Sequence, residues 1–270
     1  MGGHALKTWL SVALILVAIS SSQAWADSGR AAWSADTAEL LPEGRWEAGL
    51  FGSARTGLSG DLELQAHPVW ALLAPHLGVK WQQHAGERWV VSTRHTLSYP
   101  TPLLSVLARE GTGGVVPVDT QVPHILNLTQ DALVSLKLPR SQRLTGRAGA
   151  RLAVAIGENT LPTIDLPVVY PRGAAWHEGL ALEAGIAWTG RAPRWLAYGV
   201  SLDLFWMPGL EAGEPAWHHA VEVTPHLTWY ISESWSLMGG VKVVEGSYPF
   251  GEQSHLLPIL DVSYGWGGGP

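Results

Sequence analysis

The most constraining feature of the sequence is a strand-length alternation of apolar and polar residues, which recurs from about Gly44 to Trp266. In the clearest stretch, the even-numbered residues from Leu196 to Trp206 are large and apolar, whereas most odd-numbered ones are small or polar. Successive side chains of a strand point to opposite faces, so such a stretch has one apolar face and one polar face. Roughly ten such segments with aromatic ends predict an all-β fold, a transmembrane antiparallel up-and-down β-barrel.

The N-terminus has the order of a secretory signal peptide. Lys7 precedes an apolar run from Leu10 to Ile19, and Ala24-Trp25-Ala26 supplies small residues around a cleavage site. A spanning helix needs about 20 apolar residues, so this run is too short for a membrane anchor. We therefore predict a signal peptide over residues 1–26, an N-terminal segment over 27–43 and a barrel over 44–270.

Composition restricts the class of protein further. The chain has no cysteine, so disulfides and thiolate metal sites are excluded. Its net charge of −6 argues against a nucleic-acid partner, which requires a basic surface. A charged content of only 15% with 15 Trp suits lipid-facing strands and membrane interfaces better than a soluble surface.

Eleven strands follow from the alternation, and bacterial single-chain barrels usually have an even number. We assign the missing strand to Arg30–Leu41, for a total of about 12 within a range of 10–14. Two alternatives are that residues 61–84 form one bent strand, and that the N-terminal segment threads the lumen. The eleven strands are predicted near 44–54, 61–69, 75–84, 87–99, 126–138, 143–156, 178–189, 194–206, 217–231, 235–245 and 257–266.

The connections alternate between short and long. This predicts short periplasmic turns and long extracellular loops, with Trp266 at the periplasmic end. Short connections are predicted at 56–60, 85–86, 139–142, 190–193 and 232–234. Long ones are predicted at 67–75, 100–125, 157–177, 208–216 and 246–256.

Charged residues fall almost always on one parity of each strand. An Arg at the lipid midplane would cost about 2–4 kcal/mol, so this parity predicts the lumen. The side chains are candidates for a selectivity lining, or for mutual pairing that plugs a small barrel. The predicted lumen residues are Arg94, Arg147, Arg151, Glu183, Asp203, His218, Glu222, His226, Lys242 and Asp261.

Tryptophans lie near the strand ends, where barrels carry aromatic girdles. The predicted girdle comprises Trp46, Trp89, Trp188, Trp206, Trp229, Trp235 and Trp266. A soluble β-sandwich also alternates, but its polar faces should be rich in Lys, Glu and Thr. Here those faces are rich in Gly, Ala and Ser, which favours the barrel.

Catalytic and metal motifs are not evident. His218, Glu222 and His226 share one strand face, but successive members lie about 13 Å apart and do not share a metal. Neither Gly-x-Ser-x-Gly nor His-Glu-x-x-His occurs. We expect no cofactor and no metal, and we do not favour an enzyme.

Two long loops combine Pro, Gly and aromatic residues. The segments 100–125 and 157–177 have the composition of folded loops over the barrel mouth, and Pro102–Arg109 could form a short helix. Such loops could form a lid, form a recognition surface or simply pack on each other.

The stretch Gly57-Leu58-Ser59-Gly60-Asp61-Leu62-Glu63-Leu64 resembles a turn-strand element, Gly-Leu-Thr-Asp-x-Leu-Glu-Leu, of bacterial outer-membrane β-barrel proteins. Gly60 departs from the more usual Asp. The resemblance implies the outer membrane of a Gram-negative cell, a lipid environment and insertion by the barrel-assembly machinery. It supplies no catalytic residue.

Three functions remain as hypotheses. We favour a narrow pore or transporter-like, porin-like channel for a small solute. The alternatives are a non-conducting structural or surface-interaction barrel and, third, a membrane-embedded hydrolase acting on lipid. No sequence feature specifies the solute or the oligomeric state.

Overall fold

Twelve antiparallel strands form a closed barrel in which each strand pairs with its neighbours in sequence and β1 pairs with β12. The computed structural model describes residues 35, 37–68, 70–110, 116–118, 120–191, 193, 195–209 and 217–267. The predicted all-β up-and-down barrel of about 12 strands is therefore confirmed. Its strands are β1 (Arg45–Gly49), β2 (Ala54–Ser59), β3 (Leu62–Ala66), β4 (His76–Ala85), β5 (Trp89–Ser98), β6 (His124–Leu138), β7 (Gln142–Ile156), β8 (Leu180–Arg191), β9 (Leu196–Pro208), β10 (Trp217–Tyr230), β11 (Trp235–Tyr248) and β12 (Gly251–Gly267).

Four short helices lie in the described parts of the connections. They are α1 (Trp70–Leu73), α2 (Thr101–Leu107), α3 (Tyr170–Gly173) and α4 (Ala175–Glu178). The predicted helix at 102–109 corresponds to α2, which carries a proline in its first turn, where the absent N–H costs no hydrogen bond. At the other end of this series, Gly179 adopts φ +77°, which terminates α4 and directs the chain into β8.

The assignment of the missing strand to Arg30–Leu41 was wrong. The twelfth strand is β2, which follows β1 after a turn at residues 50–53. The strand predicted at 44–54 therefore corresponds to β1 and this turn, and most of β2 lies where a short connection was predicted at 56–60. Residues 37–41 instead form an irregular segment inside the barrel, as the alternative of lumen threading proposed. The signal peptide, the start of the N-terminal segment and parts of the loops at 111–115 and 210–216 lie outside the described residues.

The two ends of the barrel differ. Five short connections lie at one end, here called the short-turn end, together with the start of β1 and the end of β12. The other end, here called the loop end, carries the connections that contain the four helices. Two connections at the loop end differ from the prediction. Residues 50–53, which connect β1 and β2, were predicted to lie within a strand, and a tight turn at 249–250 stands in place of the long loop 246–256.

The strand alternation separates an apolar outer face from a polar inner face. In β9, Leu202 and Trp206 are exposed on the outside, while Asp203 and Phe205 are buried on the inside. In β12, Leu256 and Leu260 are exposed whereas Asp261 is buried. Burial of the polar face means that other parts of the protein fill much of the lumen.

Candidate functional site in the barrel lumen

The ten side chains predicted from charge parity all lie on the inward face of their strands. Five of them are buried, namely Glu183, Asp203, His218, Glu222 and Asp261. The other five, Arg94, Arg147, Arg151, His226 and Lys242, are partly buried on the same parity. Other charged side chains on the inward faces, including Asp131, Glu63 and Lys80, were not predicted.

A layer of ion pairs lies on the inner face of strands β5–β9. Arg94 contacts Asp131 at 2.6 Å, and Arg147 contacts Asp203 at 2.6 Å. Glu183 forms a salt bridge with Arg151, and its Oε1 lies 3.5 Å from Nε of Arg147. Asp131 was not predicted, although it is buried on the same inward parity of β6. Because acids and bases alternate around this layer, each buried charge faces an opposite one, which buried charges require.

A second ion-pair group joins the loop end to the wall. Arg172 of α3 donates to both carboxylate oxygens of Glu222, each at 2.6 Å. Lys242 of β11 reaches the same carboxylate at 2.5 Å. The guanidinium of Arg172 also lies over the ring of Phe205, 5.1 Å from its centroid. The sequence placed Arg172 within the long loop 157–177 and not among the lumen residues. The signal that could have identified it was a single Arg among apolar and Pro residues of that loop.

The N-terminal segment Thr37–Pro42, here called the inner segment, lies against the inside of β2–β7 at the short-turn end. Its backbone forms hydrogen bonds with the wall: Ala38 N donates to Ser135 at 2.8 Å and Leu41 N to Glu63 at 2.7 Å. In return, wall side chains donate to the segment. Lys80 Nζ donates to the Glu39 carbonyl at 2.6 Å, and Ser92 and Gln82 donate to the Ala38 carbonyl.

Two further contacts hold the inner segment. Arg143 Nε donates to Glu39 Oε1 at 3.0 Å, and the fully buried Ala38 packs between Val90 and Leu133. The side chains Glu63, Lys80, Ser92 and Ser135 are thereby almost completely removed from solvent. The wall behind the inner segment is therefore polar, and its hydrogen bonds end on the segment backbone.

Two apolar clusters close the loop end on the β6–β11 side. One joins the short helices α3 and α4 to the wall and contains Tyr170, Ala174, Ala175, Ala181, Phe205, Met207, Ala220 and Tyr248. The other joins α2 to the wall and contains Leu104, Ile125 and Ile164. Thr101 Oγ1 ties α2 to β6, since it donates to the Pro123 carbonyl and accepts from Ile125 N, both at 2.8 Å. The loops at 100–125 and 157–177 thus pack on the barrel and on each other.

A cavity of about 200 Å³ remains on the opposite side of the lumen. It runs from the short turn at 231–234 to the β1–β2 turn and is lined by both polar and aromatic side chains. At its base, Glu47 pairs with Arg55 at 2.6 Å and lies 3.6 Å from Arg45. Two of the predicted lumen residues, His226 and Asp261, line this cavity.

The predicted girdle is concentrated at the short-turn end. Trp206 lies near the loop end, whereas the other six members lie close to short turns or to the β1–β12 seam. At the seam Trp46 and Trp266 are stacked with ring centroids 5.9 Å apart, and Tyr264 stacks on Trp266 at 5.7 Å. Six of the seven rings are more than a third exposed, and Trp188 is partly buried against Tyr198.

Comparison with known proteins gives similarity of structure alone. No protein-family model and no curated protein matches the chain. Among solved structures, outer-membrane expressed OmpT of Vibrio cholerae has a TM-score of 0.44 at 6% identity, over 91% of this chain and 72% of that one. The loop L8 deletion mutant of that OmpT has a TM-score of 0.46 at 7% identity, over 91% and 70% of the two chains. The outer membrane channel DcaP of Acinetobacter baumannii has a TM-score of 0.38 at 11% identity, over 80% of this chain and 62% of that one. Identity and TM-score are too low to carry a function to this chain.

Two features are absent from the described part of the chain. No group of three or more His, Asp or Glu side chains there has metal-binding geometry. No helix among the described residues is long and apolar enough to cross a membrane.

Proposed function

We propose that the protein is a bacterial outer-membrane barrel that takes up a small solute in its lumen and is closed at rest by the inner segment. Its placement in a membrane is supported by the outer face of the long strands. Leu126, Leu152, Ile186 and Leu260 are exposed there, and contiguous apolar surface of this extent is unfavourable in water. The aromatic residues at the short-turn end would occupy one membrane interface.

The orientation follows from the positions of the termini. The first and last strands meet at the short-turn end, and outer-membrane barrels keep short turns on the periplasmic side. The cavity, which reaches the short turn at 231–234, would then be entered from the periplasm.

The observation that carries a solute-handling function is the chemistry of the inner segment's contacts. The segment buries two apolar side chains, Ala38 and Leu41. Its other contacts are polar, since Glu63, Lys80, Ser92 and Arg143 contact it through hydrogen bonds and an ion pair. If the segment leaves, water can replace those polar contacts at modest cost, because each protein hydrogen bond is worth only about 0.5–1.5 kcal/mol net. The clusters at the loop end are apolar, so exposing them would be much less favourable.

Planar-bilayer recording tests this proposal. We expect the intact mature protein to be nearly silent and a variant lacking residues 37–41 to conduct in discrete small steps. Heat-modifiable migration on a denaturing gel should be the same for both, as evidence that both barrels are folded. If both forms fold and insert but stay silent, the channel proposal is wrong and a non-conducting structural barrel is the better account.

A further inference from the structure

The wall of the barrel is unusually low over three consecutive strands. β1, β2 and β3 contain 5, 6 and 5 residues, whereas β11 and β12 contain 14 and 17. At about 3.3 Å per residue and a tilt of about 45°, the short strands rise roughly 12–14 Å, against an apolar band about 25 Å tall. β1 begins at the short-turn end, at the level of the Trp46–Trp266 stack. The edge of these three strands that faces the loop end therefore lies well inside the apolar band.

The chain above these strands is apolar where loops are normally polar. We call the β1–β2 turn at 50–53 and helix α1 together the low rim. In the turn, Leu50 is 56% and Phe51 68% exposed, and in α1 Leu72 is 83% exposed. Leu77, at the start of β4, adds to the same surface. Side chains of this kind are stable at a rim that faces hydrocarbon and unfavourable at one that faces water.

The low rim is also the wall of the lumen cavity. Gly49, Gly52 and Ser53 line the cavity on the inside, while Leu50 and Phe51 face outwards from the same turn. Only the thickness of one turn therefore separates the cavity from the surface that we assign to hydrocarbon.

The turn at 50–53 is held to the barrel by hydrogen bonds. Leu50 N donates to the Val262 carbonyl at 3.0 Å. Phe51 N donates to Asp261 Oδ1 at 2.9 Å, and the Phe51 carbonyl contacts His67 Nε2 at 3.0 Å. The turn folds over the Asp261 carboxylate because Gly49 and Gly52 have no side chain; a Cβ there would lie 2.3 or 2.8 Å from Asp261 Oδ2. The turn is thus held by the Asp261 carboxylate and by hydrogen bonds of its backbone, and no apolar cluster of the described residues includes it.

We propose that the low rim is a lateral doorway, through which a single-chain amphiphile passes between the lumen cavity and the surrounding bilayer. The mixed lining fits such a molecule, since Met238, Tyr230 and Trp235 offer apolar surface beside the charged Arg45 and Glu47. The inference rests on the proposed function, because it assigns a substrate class to the same cavity. It adds an exit into lipid, where a simple pore would open into water.

Site-directed spin labelling tests whether the low rim faces lipid or water. The chain has no native cysteine, so a label can be attached at a single introduced cysteine. Phe51→Cys and Leu72→Cys would be labelled in reconstituted protein and compared with Leu260→Cys on the outer face and Glu158→Cys in an exposed loop. We expect the two rim labels to match Leu260→Cys, with high accessibility to oxygen and low accessibility to a water-soluble nickel chelate. A rim that matches Glu158→Cys would overturn the doorway, whereas a water-accessible Leu260→Cys would overturn the membrane placement itself.

Photo-crosslinking tests passage of the amphiphile. A fatty acid with a terminal diazirine, incorporated in vesicles, should label Met238 and Tyr230 in the cavity as well as Leu260 outside. Asp261→Ala, which releases Phe51 N, should increase cavity labelling several-fold and leave labelling of Leu260 unchanged; Asp61→Ala, in an exposed turn, serves as the control. Adducts confined to the outer face in all three proteins would refute the doorway even if the variant lacking residues 37–41 conducts.

Discussion

Arg172 of helix α3 and Glu222 of β10 form a bidentate salt bridge, with both N–O distances at 2.6 Å. Glu222 is fully buried, and Arg172 comes from the α3–α4 segment that fills the loop end. The pair therefore joins an apolar lid to a charged strand. It adds a polar contact to the apolar cluster that packs the same segment on the wall.

Replacement of Arg172 by Met should loosen the lid. Glu222 would keep only Lys242 as a partner, and hydrogen bonds to charged groups contribute about 1.5–3 kcal/mol each. We expect a lower thermal unfolding temperature in detergent and faster proteolysis within residues 157–179. The control is Arg88→Met, in an exposed short turn, which should change neither. Unchanged proteolysis in Arg172→Met would show that the apolar cluster alone holds the lid.

Substitution of Ala38 by Trp should displace the inner segment. Ala38 is fully buried between Val90 and Leu133, and overpacking such a site costs about 1–3 kcal/mol. We expect more frequent opening events in planar bilayers than with the intact protein. Glu43→Trp, at an exposed position beyond the segment, is the matched control. Equal opening frequencies in the two variants would argue that the inner segment does not control the lumen.

The ion-pair layer should show strong coupling between Arg147 and Asp203. Either single substitution, Arg147→Met or Asp203→Leu, leaves a buried charge with fewer partners and should destabilise the barrel. The double variant should be less destabilised than the sum of the two, by about 0.5–3 kcal/mol in a double-mutant cycle. Equilibrium unfolding in urea with lipid vesicles measures this directly. Strictly additive effects would mean that the pair is not formed in the folded barrel.

Acid should loosen the loop end through His177. Burial lowers the pKa of His177 below its ordinary value, against a smaller opposing effect of its hydrogen bond to the Leu161 backbone. The unfolded loop thus binds a proton more readily than the folded loop, so the stability is complete above about pH 6.5 and falls as the pH drops towards the folded pKa. Proteolysis within 157–179 should accelerate between pH 7.5 and pH 5.5 in the wild type and much less in His177→Gln. His255→Gln, at an exposed position, should behave like the wild type; loss of the pH effect in that control as well would implicate other groups.

The sequence by itself determined the wall of this protein. Strand periodicity is a local property, so residues such as Asp203 and Leu202 were assigned to opposite faces from spacing alone, and both lie where expected. The ten charged or His residues predicted from parity lie on the inward faces, although Asp131, Glu63 and Lys80 on the same faces were not predicted.

What fills the barrel was decided only by the tertiary structure. The inner segment has no periodicity, and its position depends on wall residues far away in sequence, such as Ser135 and Arg143. Arg172 was hidden for the same reason, because its partner Glu222 lies 50 residues away and no local pattern links them. The shortest strands were also mispredicted. β2 is too short to show a clear period, so most of it was assigned to a short connection at 56–60 and the missing strand was placed before β1. Local alternation defines which face a residue occupies, whereas long-range packing defines what it meets inside.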